Sequence, residues 1–421
     1  MTQIRNIKGT HDILPKESKK WQNLEKNIHN ICASFGYEEI RTPIFEETGL
    51  FSRTVGEESD IVSKEMYTWE DKDNKYLTLR PELTASVARS FIQHNLINQS
   101  PIQRLYYMGP LFRRERPQKG RQRQFHQFGV ESFGSEHPEQ DAEIISIAWH
   151  MLLKCGLEKD ITLHLNSIGS IECRRKYRKA LKKFLRPNLD QFSKTSQHRF
   201  ETNPLRILDT KNKDELLILK QAPKISYYYS DEDLKHFESI TNYLEKMNIP
   251  FAINSNLVRG LDYYTRTVFE FTSESLGAQN ALIGGGRYDG LIKTLGGKNT
   301  PGIGFAAGIE RFLIAMDNTN ENIIKFEPDV YFIYQNKEYL SIILQLSNEL
   351  RNNGHSVIFD TLRRSMKSQL RDANRSGARF ALILGEDEMR NGTIGFKNLK
   401  QSTQKSILQS NLINFFNNLI D

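Results

Sequence analysis

The stretch Gly109–Gly134 reads GPLFRRERPQKGRQRQFHQFGVESFG, and its reading decides the architecture of this 421-residue chain. Apolar and polar residues alternate on both sides of its middle. Ile102, Arg104, Tyr106 and Met108 lead in, and Phe125, Gln127, Gly129 and Glu131 lead out. Strand side chains point to alternate faces, so this period-two pattern predicts two antiparallel strands. Pro117 and Gly120 break the chain between them and predict a loop from Glu115 to Gln124. Arg113 to Arg123 holds six Lys/Arg against one acid, Glu115. Charges this dense repel one another unless something anionic lies among them. Such a run is either a solvated hairpin tip or an anion site. The anion is favoured because most of the cations are Arg, whose planar fork suits phosphate. Arg113, Gln127 and Glu131 also set polar groups among aromatics, a pattern suited to a binding floor.

These residues resemble motif 2 of the class II aminoacyl-tRNA synthetases. The run FRRERPQKGRQRQFHQFGVESFG is similar to the form found in histidyl-tRNA synthetases. The resemblance implies an α+β catalytic domain built on an antiparallel sheet, over residues 1–325, with a helical insertion at about 170–247. A C-terminal α/β anticodon-binding domain with a mixed sheet is expected over 326–421.

Composition agrees with an ordinary globular chain, at 38% hydrophobic and 26% charged, and the length suffices for two or three domains. The net charge of +7 favours a polyanionic partner without establishing one. Cys32, Cys155 and Cys173 are far apart and form no CxxC pair. They predict reduced thiols in a reducing compartment, with neither zinc nor disulfides. No apolar run reaches transmembrane length and the N-terminus lacks a signal h-region, so a soluble, cytoplasmic protein without membrane contact is expected.

Read in order, Glu17 to Phe35 predicts a helix with Trp21, Leu24, Ile28 and Ile31 on one face and Gly36 as its stop. YEEIRTPIFEE follows as a strand ending before Pro43. This helix–strand–Pro unit is similar to motif 1, which implies a homodimer; plain core packing is the rival reading. Glu65 to Arg80 reads as a hairpin around a DKDN turn. A helix should start near Glu82, after Pro81. Pro138 to Leu153 is a further helix, and ITLHLNSIG a strand. Ser170 to about Met247 is Lys-rich and helical in pattern, either a solvated face or one turned toward RNA. Strand pattern resumes in FAINSNLVRGLDYYTRTVFEFTS. Were its core, Leu257 to Thr265, a regular strand, Tyr263 and Tyr264 would point to opposite faces. Gly284 to Gly286 require a tight turn or a close backbone approach. GIGFAAGIERF, Gly302 to Phe312, is a small-residue strand entering a helix. Beyond Glu327, strands DVYFIY, HSVIFD, RFALILG and TIGFK alternate with helices at Lys337–Asn353, Ser365–Ser376 and Ser406–Leu419. That alternation predicts a small α/β domain. A basic stretch from Arg363 to Arg379 within it suits phosphate contacts.

LVRGLDYYT, ALIGGGRYDGL and GIGFAAGIERF resemble two histidyl-type segments and motif 3. The resemblance implies ligation of L-histidine to tRNA(His): ATP activates the histidine carboxylate, pyrophosphate leaves, and histidine passes to the tRNA 3′ end. Arg259, Arg113 and Gln127 are the implied catalytic residues. Glu82, Thr84, Glu131, Tyr263, Tyr264 and Tyr288 join them as the histidine site. Glu82 and Thr84 face the α-amino group, while Glu131 and Tyr264 read the two edges of the imidazole. Glu115, Arg121, Arg123, Phe125 and Arg311 complete the ATP site, with Phe125 stacked on adenine. Arg116 and Gln118 face the acceptor end of the tRNA. Arg259 approaches the α-phosphate where many class II enzymes place a metal; Mg2+ accompanies ATP and no protein-held metal is expected. A competing reading is the histidyl-synthetase-like regulatory subunit of ATP phosphoribosyltransferase. Such chains typically lack the C-terminal domain and an intact RGLDYYT, both present here.

Overall fold

The alternation on either side of the Arg-rich loop becomes two ten-residue, antiparallel strands of a large sheet. The computed structural model describes residues 3–56, 59, 61–118, 120–318 and 327–420. The chain divides into two compact units, Met1–Asn322 and Ile323–Asp421. The domain boundary expected near residue 325 lies outside the described residues.

In the first unit the strands are β1 (Glu38–Glu39), β2 (Phe45–Glu47), β3 (Tyr67–Glu70), β4 (Tyr76–Leu79), β5 (Gln103–Phe112), β6 (Gln124–Phe133), β7 (Ile161–Ser167), β8 (Ala252–Ile253), β9 (Thr265–Ser273), β10 (Ala281–Arg287) and β11 (Gly302–Gly308). Eight of them form one sheet in the order β1-β5-β6-β11-β10-β9-β7-β8. Its six central strands pair antiparallel, and only the short edge strands β1 and β8 run parallel to their neighbours. The expected hairpin is β3–β4, completed by β2 into a three-stranded sheet.

One face of the large sheet is covered by the helices Pro15–Ser34 and Pro138–Lys154, whose Leu24, Ile28, Ile144, Ile147 and Met151 are fully buried with Phe269 and Phe271. Tyr106 and Met108 pack on this covered side, and Arg104 pairs with Glu143 of the second helix. The lead-in residues of the first strand therefore face away from the lead-out residues of the second. The register, Leu105 opposite Glu131 and Tyr107 opposite Gly129, puts the odd-numbered residues of both strands on the other face.

Arg80 fixes how the two sheets meet. Its guanidinium is buried and donates to the carbonyls of Pro110, Thr42 and Pro43 at 3.0, 2.8 and 3.1 Å. The extended chain around Pro43 is thus held against the motif 2 strand rather than continuing β1, which is why YEEIRTPIFEE forms two short strands and not one.

Residues 171–246 are largely helical, with helices Ile171–Leu185, Lys194–Thr202, Lys213–Leu219 and Asp231–Lys246. In the first, Cys173, Tyr177, Leu181 and Leu185 recur every four residues and are buried, while most of the Lys/Arg run faces out. The last packs on Pro138–Lys154, where His236 Nε2 lies 3.3 Å from Asp141 Oδ1. Asp141 also pairs with the fully buried Arg287, which is held on its other side by Asp289.

The second unit has β12 (Val330–Tyr334), β13 (Val357–Phe359), β14 (Phe380–Leu384), β15 (Thr393–Asn398) and β16 (Gln404–Leu408), in the order β13-β12-β14-β15-β16. The first three are parallel and the last two antiparallel, a mixed sheet. The helix expected from Ser406 to Leu419 begins instead at Leu412, because Gln404–Leu408 pairs with β15 and buries Ile407. Of the basic stretch, Arg364 is drawn to Asp360 and Asp372, Arg375 to Asp372, and Arg379 to Asp329.

Candidate active site

The face of the large sheet opposite the two helices carries a cavity of about 380 Å³. Register builds its floor. Tyr107, Gly129, Ala306, Gly284 and Glu270 lie in one row across five strands; Leu105, Glu131, Gly304, Gly286 and Val268 form the next. The middle of both rows is mostly glycine and alanine, so the floor is bare backbone with large polar groups around it. That is the geometry in which a flat ligand can lie on a sheet.

At one end sits Glu131, 1% exposed. Thr84 Oγ1 donates to its Oε1 at 2.6 Å, the Tyr107 hydroxyl donates to the same oxygen at 3.0 Å, and the Tyr288 hydroxyl donates to Oε2. Burial pushes the Glu131 carboxyl up to about 8, against the pull of these donors. Glu82 is buried two residues before Thr84 and accepts from the Ala85 amide at 2.8 Å, capping the helix Thr84–Gln93 that begins two residues later than the sequence suggests. Burial raises its carboxyl as well. Because the Thr84 hydroxyl proton is given to Glu131, its oxygen is left as an acceptor.

Leu257 to Tyr264 is not a strand; pairing resumes only at Thr265. Gly260 interrupts the alternation, and the loop brings Tyr263 and Tyr264 to the same cavity instead of to opposite faces. Their rings lie 4.7 Å apart, each edge-on to Tyr288 at 5.6 and 6.4 Å. The same loop folds Arg259 back over the sheet, where it donates to Glu270 Oε1 at 2.6 Å. The triple glycine makes no turn. It is the middle of β10, and the close approach there is by Arg259. A Cβ on Gly284 would stand 2.5 Å from the Arg259 Cζ.

At the other end, Arg113 donates from Nε to the Pro81 carbonyl at 3.0 Å and lies over the Phe125 ring at 5.1 Å. Arg311, on the helix Ile309–Asn318, reaches the carbonyls of Gly120 and Ala281 at 3.1 and 2.8 Å and so ties the loop tip to β10. Arg121 is 3.4 Å from Glu115. Glu310 bonds both the amide and the ring of His126, locking motif 3 to motif 2. Arg113, Glu115, Arg121, Phe125, Gln127 and Arg311 all line the cavity together with the Glu131 cluster and Arg259.

Arg123, Arg116 and Gln118 do not line it. The Arg123 side chain turns to Gly9 of the N-terminal segment, whose carbonyl accepts from its amide at 2.7 Å. Arg116 and Gln118 lie on the loop outside the cavity, Gln118 exposed. The lining residues that the sequence did not single out include Tyr107, Glu270 and Arg206, the last from the helical insertion. Glu270 carried a signal, as the one acid inside the apolar run TVFEFTS. Among the described residues no group of three or more His, Cys, Asp or Glu converges as a metal site.

Known proteins are similar to this chain in sequence and fold. The family described as Histidyl-tRNA synthetase matches residues 9–312, and the Anticodon binding domain family matches residues 329–419. The chain belongs to the histidyl-tRNA synthetase family. A relative from Halothermothrix orenii named Histidine--tRNA ligase is 45% identical over 418 residues, covering 99% of this chain and 100% of the relative. One from Listeria innocua with the same name is 46% identical over 411 residues, 96% of each. The crystal structure of apo Staphylococcus aureus histidyl-tRNA synthetase is 37% identical with a TM-score of 0.84, over 98% of this chain and 100% of that one. Both units of the fold, the antiparallel catalytic sheet and the mixed C-terminal sheet, are therefore those of a class II synthetase of histidyl-tRNA synthetase type.

Proposed function

We propose that this chain ligates histidine to tRNA(His) in two steps, through histidyl-adenylate and pyrophosphate. The observation that carries the reading is the union, in one cavity, of the buried Glu131–Tyr264–Tyr288 cluster with Arg113, Arg259 and Arg311. A neutral imidazole has one N–H donor and one acceptor nitrogen. Glu131 accepts from the first and the Tyr264 hydroxyl donates to the second. Glu82, with the Thr84 oxygen, takes the ammonium.

Activation brings two anions together, so the protein helps by positioning and by cationic stabilisation. Arg113 holds the substrate carboxylate and the α-phosphate from one side; Arg259, oriented by Glu270, takes the α-phosphate from the other. Arg121 and Arg311 take the outer phosphates and Glu115 the adenine end. One face of Phe125 is taken by Arg113, so adenine stacks on the opposite face. Arg123 supports the loop from outside the cavity. Magnesium enters with ATP as part of the substrate. Gln127 lies near the reacting carboxylate during transfer, while Arg116 and Gln118, on the loop outside the cavity, meet the tRNA acceptor end. The C-terminal unit binds the anticodon.

A homodimer is proposed from motif 1. Ile4, Ile7, Ile44, Phe45 and Tyr76 are all exposed on the N-terminal segment and the small sheet, with Ile4 96% exposed, and a second copy would cover them. A cytoplasmic location is in keeping with three buried cysteines that form no disulfide. No helix among the described residues is long and apolar enough to cross a membrane. The regulatory-subunit alternative is disfavoured by the anticodon-domain match over residues 329–419. Histidine-dependent ATP–pyrophosphate exchange tests the reading: exchange that needs histidine supports it, and exchange absent or indifferent to histidine refutes it.

A further inference from the structure

The Glu131 carboxylate is almost filled by the protein itself. In its ionised form, the form that accepts from an imidazole N–H, the carboxylate offers about four acceptor positions, two on each oxygen. Thr84 and Tyr107 occupy both on Oε1, and Tyr288 occupies one on Oε2. The remaining position is on Oε2, above the bare backbone of Gly304, where a Cβ would stand 2.8 Å from the Glu131 carboxyl carbon. Tyr107 is itself 1% exposed and crosses the sheet toward its register partner Gly129. A Cβ on Gly129 would lie 2.5 Å from the Tyr107 hydroxyl oxygen, so the tyrosine fills a space that the sequence leaves empty.

We propose that Tyr107 is a specificity-determining positioning residue: its hydroxyl saturates Glu131 Oε1, so that a single acceptor position, on Oε2, faces the substrate ring. The proposal rests on the histidine reading of the cavity. Tyr107 acts through Glu131 and not on the reacting atoms. A ring with no N–H would leave that one buried position unpaired, which is the strongest form of rejection a pocket has. Without the Tyr107 hydroxyl, Oε1 regains an open position. The carboxylate can then turn or take up water, and the pocket loses its single register.

A second consequence concerns protonation. Burial raises the Glu131 carboxyl and the donors from Thr84, Tyr288 and Tyr107 oppose it. The titratable groups facing it are Glu82 from the helix start, Tyr107 from β5, Tyr263 and Tyr264 from the loop, and Tyr288 after β10. Removing one donor to the ionised form shifts the carboxyl further up. The acid limb of histidine use should therefore move to higher pH.

The test is Tyr107→Phe in the whole chain, assayed by pyrophosphate exchange with L-histidine and with 2-thiazolylalanine, whose ring has no N–H. One hydrogen bond to a charged group sets the scale, so KM for histidine should rise about tenfold and discrimination against thiazolylalanine should fall about tenfold. KM for ATP and kcat should hold within about twofold, and the acid limb of kcat/KM for histidine should move up. In a Glu131→Ala background, which leaves no acceptor for the Tyr107 hydroxyl, the same Tyr107→Phe change should have almost no further effect on KM for histidine, since the cycle isolates coupling between the two residues. The proposal is overturned by unchanged histidine KM and discrimination, by equal loss toward ATP and histidine, or by a Tyr107→Phe effect that is undiminished in the Glu131→Ala background. A wild-type chain without histidine-dependent exchange removes the functional reading as well; a neutral Tyr107→Phe in an active enzyme removes this proposal alone.

Discussion

Replacing Gly284 by alanine separates stability from catalysis. A Cβ there would meet Cζ and one terminal nitrogen of Arg259 at 2.5 Å, so the guanidinium cannot stay where it is. The atoms that must move are the far end of a flexible side chain, and no positive φ is found at Gly284. Backbone strain therefore does not oppose the change, and the stability effect should stay within about 1 kcal/mol either way. The functional effect should be much larger. Displacing Arg259 breaks its 2.6 Å hydrogen bond to Glu270 and, with Arg259 on the α-phosphate as proposed, takes a cation from the reacting group. Groups of this kind are worth about 10²–10³ in rate, or roughly 3–4 kcal/mol of transition-state stabilisation. The assay is pyrophosphate exchange at saturating ATP and histidine, with thermal unfolding followed in parallel. Gly284→Ala should melt near the wild type and exchange at about a hundredth of its rate or less. A folded variant exchanging within about threefold of wild type would refute the placement of Arg259 in the reaction.

Arg259→Ala should reproduce that loss, by about 10²–10³ in exchange, while leaving the fold intact; near-normal exchange would remove Arg259 from the mechanism. Glu131→Ala should weaken histidine far more than ATP, and a collapse of ATP affinity with unchanged KM for histidine would contradict the imidazole assignment. Light scattering should show a dimer at working concentrations, and an active monomer would count against the motif 1 interface. A protein ending near Lys325 should still exchange pyrophosphate if folded and dimeric, but lose most tRNA charging. Its remaining tRNA binding should depend less steeply on salt, by about 0.7–0.9 log unit per lost phosphate contact.

The paired strands were legible because period-two alternation flanked a loop marked by Pro117 and Gly120. The face each side chain takes was not, since that depends on register. Tyr106 and Tyr107 are neighbours in the chain, yet one packs under the sheet and the other holds Glu131. The loop carrying Tyr263 and Tyr264 looked like a strand for the same reason: its residue types suit strands, while its path is set by Arg259 folding back to Glu270. Gly284 to Gly286 could be read as demanding a close approach, and the structure names what approaches. Glu270 needed its cross-strand partner Gly284 before its role could be seen, and Arg206 comes from an insertion whose sequence reads only as a basic helical surface. Near the C-terminus, a five-residue edge strand with one buried side chain, Ile407, is too short a pattern to distinguish from the helix that follows.

The most direct test of the account is the amino acid that this chain attaches to tRNA. Each standard amino acid is offered with ATP, magnesium and purified tRNA(His), and acid-precipitable aminoacyl-tRNA is measured. Histidine alone should be activated and transferred, and the product should fail to form with Glu131→Ala at histidine concentrations that saturate the wild type. Transfer of another amino acid, or histidine activation with no charging of tRNA, would contradict it.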